Sequence, residues 1–190
     1  MLGMQKRLRS CYTGIVLVLT KTIIDRPVMS LRTGGQVATT IKPLINPNNL
    51  KIEGFYCADS FEKKKQLVLV YRDIREVLPA GLVIDDHSVL AEPEELVRFH
   101  KIMEIDFELI GKPVVTEHGK KLGKVNDYAT EPDSMMVKKL YVTQTLIKNL
   151  TGGSISVDRT QIVEITNRKI VVKDPLVPLK SPAISPLPAS

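Results

Sequence analysis

Residues 74–86 read "IREVLPAGLVIDD", and residues 162–174 read "IVEITNRKIVVKD". Both run Ile, any residue, Glu, a branched aliphatic, four turn-forming residues, three aliphatics and, two residues on, Asp. Alternation before the turn and a short aliphatic run after it describe a β-hairpin. Writing the same hairpin twice predicts two copies of one β-unit, each closed by it. Glu76 and Glu164 fall on the face away from the aliphatics, so a solvated role is expected for both.

The match extends upstream of both hairpins. "DRPVMS" (25–30) aligns with "GKPVVT" (111–116), placing Pro27 over Pro113. "GGQVATTIKPLINP" (34–47) aligns with "GKKLGKVNDYATEP" (119–132), and "IEGFYC" (52–57) with "VKKLYV" (137–142). A Pro inside a strand-like run deletes a ladder hydrogen bond and marks a strand edge or bulge. "RTGGQ" and "EHGKK" read as hairpin turns, because Gly adopts positive φ without a Cβ clash. "LKIEGFYCA" and "MVKKLYVT" alternate as half-buried strands, with "QLVLVY" and "SISV" as further strands.

Between the two units, "AEPEELVRFHKIM" (91–103) predicts a short amphipathic helix packed on one or both of them. Pro93 suits its first turn, Glu94 and Glu95 its positive end, and Arg98, His100 and Lys101 its negative end. Leu96, Phe99 and Met103 share one face. "TLIKNL" (145–150) reads as a further helical turn. The resulting division is 1–19 as an N-terminal extension, 20–90 as the first module, 91–104 as the linker helix, 105–174 as the second module and 175–190 as a tail. That tail has five Pro in sixteen residues and is expected to be disordered and, with residues 1–14, dispensable for folding.

Composition narrows the function classes. The net charge is +6, but half of it lies in residues 1–20, where three basic side chains meet no acidic one. Each module carries a surplus of only two, whereas nucleic-acid binders concentrate charge on the folded domain. There is no Trp, and four Phe with five Tyr leave little for a base-stacking surface. Lys63, Lys64, Lys65, Lys120, Lys121 and Lys124 form a candidate basic contact patch if the two module loops point the same way. The apolar run 15–19 is far short of the roughly 20 residues a bilayer span needs. It is also too short for a signal-peptide core. Two Cys outside any CxxC pair fit a reduced, cytoplasmic setting. Cys57 reads as a small core residue. His87, His100 and His118 have no partner at metal-ligand spacing, and "TGGS" lacks the Lys of a phosphate loop. No catalytic, metal or cofactor site is therefore expected.

"LIGKPVVTEHGKKLGKVNDY", an alternating strand and "DRTQIVEITNRKIVVKD" together resemble a PRC-barrel domain, the module named from the photosynthetic reaction-centre H subunit. It also forms the C-terminal domain of the ribosome maturation factor RimM. Residues 105–174 carry the resemblance most fully, and residues 20–90 carry it through "PVMSLRTGGQVATT" and the closing hairpin. The resemblance implies two tandem small antiparallel β-barrels joined by a short α-helix. It also implies a non-enzymatic adaptor that binds a protein partner, with a ribosome- or RNA-associated maturation factor as the alternative.

Overall fold

The computed structural model describes residues 17–62, 64–143 and 154–174. The expected helical turn at 145–150, Lys63 and the two termini lie outside them. The chain is mainly β. The strands are β1 (Val18–Leu19), β2 (Pro27–Ser30), β3 (Gln36–Asn46), β4 (Lys51–Asp59), β5 (Gln66–Val70), β6 (Ile74–Leu78) and β7 (Gly81–Ile84). The short helix α1 (His100–Ile105) follows, then β8 (Pro113–Thr116), β9 (Lys121–Glu131), β10 (Met136–Thr143), β11 (Ser154–Asp158), β12 (Ile162–Ile165) and β13 (Ile170–Val172).

The first half is hydrogen-bonded in the order β5-β4-β3-β2-β7-β6, and the second in the matching order β11-β10-β9-β8-β13-β12. Glu76 pairs with Val83 and Glu164 with Val171, each just after a register shift in its hairpin. The two Glu side chains thus occupy equivalent, exposed positions. Pro27 and Pro113 each open a strand, where the missing N–H is tolerated, and a register shift follows in both.

The expected all-antiparallel arrangement needs correction. In each half the second hairpin strand runs parallel to the Pro-led strand, with Val28 opposite Leu82 and Val114 opposite Ile170. Gly81 lets this happen in the first half. A Cβ there would sit 2.2 Å from the Pro27 carbonyl oxygen. Each half is also an open mixed sheet. Among the described residues no ladder joins β5 to β6, or β11 to β12, across the single 3-10 turns Tyr71–Asp73 and Arg159–Gln161 that connect them. The outer edge of β5 is instead taken by the linker, where the Val68 N–H donates to the Ala91 carbonyl at 2.8 Å and the Ala91 N–H returns the bond at 3.1 Å.

The linker is not the continuous helix expected over 93–103. It forms 3-10 turns at Pro93–Glu95 and Val97–Phe99 before α1. Leu96, at φ −92° and ψ 56°, breaks the helical path between them. The break drops Phe99 onto Leu44, Tyr56, Val68 and Val70, on the outer face of the first half. Burial of that ring outweighs the few helical hydrogen bonds lost. The boundary at residue 19 also shifts. Val18 and Leu19 pair with Thr130 and Ala129 of β9, and Thr20 is buried.

The halves meet through two turns. Leu50 and Met135 are repeat-equivalent, both fully buried and both in the left-handed region, at φ 52° and 55°. The Ile52 N–H donates to the Met135 carbonyl at 2.8 Å, and the Val137 N–H donates to the Leu50 carbonyl at 3.0 Å. These reciprocal bonds relate the halves by a local two-fold. A single hydrophobic cluster, including Leu50, Phe55, Tyr128, Met135 and Leu140, runs through both.

Candidate functional site

The local two-fold creates two related grooves at the joint. In each, the closing hairpin of one half faces the long-strand turn of the other. The first is about 490 Å³ and sets Ile162, Val163, Glu164 and Ile165 against Pro47 and Asn48. The second is about 510 Å³ and sets Ile74, Arg75, Glu76 and Val77 against Pro132 and Asp133.

Their chemistry differs at corresponding positions. Val163 stands where the second groove has Arg75, and it is 51% exposed, with Ile105 from α1 42% exposed beside it. Arg75 is instead tied to Asp85 in a two-pronged ion pair, one bond of which measures 2.8 Å. That hydrogen bond holds the Asp85 carboxyl below its ordinary range. Arg159 enters the first groove from a turn capped by Asp158. Hydrogen bonds from the Thr160 N–H, then from its hydroxyl, lower the Asp158 pKa. The first groove is therefore the more apolar and the better suited to a protein side chain.

The lysines singled out from sequence do not converge. Lys64 and Lys65 follow the far end of β4, while Lys120 and Lys121 stand at the far end of β9. β4 and β10 meet antiparallel only at Lys51 and Met136, so the two halves extend in opposite directions from the joint. At about 3.3 Å of rise per strand residue, the two lysine groups lie tens of ångströms apart. Lys65 is also paired with Glu92 at 2.6 Å. Lys124 lies within β9, between Pro113 and Thr143. The sequence named the closing hairpins that line the joint grooves, but not the turns at Pro47 and Pro132 opposite them. It missed that each faces the other half, because no local pattern records that contact.

His87 lies 3.2 Å from buried Asp59 and edge-on to Phe61, His100 opens α1, and His118 sits in the turn after β8. Among the described residues no three His, Cys, Asp or Glu side chains gather as a metal site. Nor is any helix there long and apolar enough to cross a membrane. Cys57 is fully buried, and burial pushes its thiol up to about 12. We expect it to react with a thiol reagent at pH 8 only as fast as the chain unfolds. Labelling within seconds in the native state would contradict its place in the core. The thiol stays protonated in the folded chain above pH 9, where an unfolded thiol ionises, so this group's contribution to stability falls as pH rises from about 9 towards 12.

The arrangement is a β-rich surface with open grooves at the joint. Residues 103–176 match the PRC-barrel domain model, which takes in the last three residues of α1 and the second half. No curated protein matches the chain.

Proposed function

We propose that the chain is a non-enzymatic adaptor that uses no cofactor. It is built from two PRC-barrel modules, the first (20–90) a diverged copy of the second (105–174), and it holds a protein partner in the cytoplasm. The shared strand order, the equivalent hairpin register and the matching Leu50 and Met135 turns support the tandem reading. The observation that carries the function is the more apolar joint groove, where Val163 and Ile105 remain exposed beside Arg159. Arg is enriched at interfaces, where a few buried anchors carry most of the energy.

The test uses the full chain as bait, followed by reconstitution with the purified partner. Val163→Glu should weaken that complex by about thirtyfold, the ~2 kcal/mol of a hot-spot residue. Leu31→Glu, at an exposed turn away from the joint, should leave it unchanged. Equal affinity for both variants would remove the groove from the interface.

The ribosome- or RNA-associated reading predicts something else. RNA binding should then be nanomolar, fall with salt at a slope of about −0.7 to −0.9 per phosphate neutralised, and vanish in Lys64→Ala/Lys65→Ala. We expect instead no tighter than roughly 10⁻⁴–10⁻⁶ M, the level of non-specific association.

A further inference from the structure

A third groove, of about 570 Å³, lies on the first half beside the linker. Three cations line it, Lys51 from β4, Arg72 from the turn after β5 and Arg98 from the linker, with Glu53 as the acidic counterweight. Lys51 lies 3.8 Å from Glu53 and stands 4.0 Å over the Tyr71 ring. Arg98 stands 4.6 Å over the Phe99 ring. Among the described residues neither Arg72 nor Arg98 has a carboxylate partner.

This concentration is particular to the first half. The repeat places Met136 and Thr160 where Lys51 and Arg72 stand, and Arg98 and Phe99 come from a linker that packs only here. Arg32 and Arg75 are offset by Asp86 and Asp85, whereas Arg72 and Arg98 share one groove without such an ion pair. Two unpaired guanidiniums beside a lysine held on a ring leave several N–H donors aimed at solvent. A guanidinium fork matches a carboxylate with two parallel hydrogen bonds. Cation–π seating restricts Lys51 and Arg98 in advance, so less freedom is lost when an anion arrives.

We infer that the groove formed by Lys51, Arg72 and Arg98 binds an acidic segment of a protein partner, through Glu or Asp carboxylates. The inference rests on the adaptor reading and supplies the partner's chemistry. Three cations offset by Glu53 make too little charge to follow a nucleic-acid backbone. Each aromatic ring of the groove has a cation over one face, which a stacking base would have to displace there. An open groove with separated forks instead suits carboxylates spaced along an extended chain.

The experiment is fluorescence anisotropy of the full chain with a labelled peptide of alternating Glu and Ala, beside its Lys-for-Glu counterpart and a structured RNA. The acidic peptide should bind saturably and the basic one should not. Arg72→Gln/Arg98→Gln should lower the acidic peptide's affinity about tenfold or more. Lys64→Ala/Lys65→Ala should leave it unchanged. Both arginines are exposed, so the double variant should melt with the parent. Failure of the acidic peptide to saturate, equal affinity for the arginine variant, or displacement by nanomolar RNA overturns the inference. If the peptide fails while a purified partner still binds through Val163, this inference falls alone. If that partner is lost as well, the adaptor reading falls with it.

Discussion

Gly81→Ala should cost about 3 kcal/mol or more and lower the thermal midpoint by roughly ten degrees. Two costs coincide at this position. Its φ of 151° is one that L side chains rarely adopt, and an added Cβ would stand 2.2 Å from the Pro27 carbonyl oxygen. That oxygen is backbone in the strand to which β7 pairs, so it cannot swing aside as a side-chain tip would. Relief requires opening the parallel pairing that seats the closing hairpin. Gly34→Ala provides the comparison. Its φ is also positive, at 67°, but a Cβ there meets nothing within 4 Å. Only the left-handed backbone is then penalised, by about 1 kcal/mol. Urea denaturation of both variants measures the difference. A Gly81→Ala loss no larger than that of Gly34→Ala would show that β7 does not seat against Pro27.

Truncation at the joint should be comparably severe. Leu50→Ala and Met135→Ala should each cost about 2–5 kcal/mol, the range for large aliphatic-to-Ala changes at fully buried sites. Each side chain is within 1% of complete burial, and their turns exchange two of the backbone bonds that link the halves. Because the cluster is continuous across the joint, the parent should unfold in one transition, seen identically by calorimetry and by circular dichroism. Two resolved transitions in the parent would mean that the halves are energetically separate, whatever their shared core. Either variant should split or broaden the transition, since it weakens a region where the halves pack against each other.

The repeat was legible because hairpins are local. "IREVLPAGLVIDD" and "IVEITNRKIVVKD" carry their alternation and turn residues within thirteen positions, and both fold as hairpins with Glu76 and Glu164 in the same place. The turns around Gly34 and Gly119 were legible for the same reason, as was Cys57 in an alternating strand. The linker was legible as amphipathic but not as broken. Its apolar positions describe a face, and only the site under Phe99 decides that the face is gained by interrupting the helix at Leu96.

The candidate sites were largely hidden. Lys63, Lys64, Lys65, Lys120, Lys121 and Lys124 were grouped by charge, which is a property of composition. Whether charges meet is a property of strand direction. The antiparallel contact of Lys51 with Met136 sends the described lysines to opposite ends. Arg72 and Arg98 are twenty-six positions apart in a chain without local charge clustering there, and they share a groove because Ala91 and Phe99 draw the linker across β4 and β5.

By itself the sequence determined the strands and their turns, because period-two alternation and positive-φ glycines act over a few residues. Only the tertiary structure decided that β7 joins β2 in parallel, that each half stays open at β5 and β6 or at β11 and β12, and that Leu50 and Met135 fuse the halves into one core. A strand's unpaired N–H and C=O groups accept any edge that reaches them. Which edge arrives is settled by packing between residues far apart in the chain, such as Gly81 against Pro27 and Ala91 against Val68.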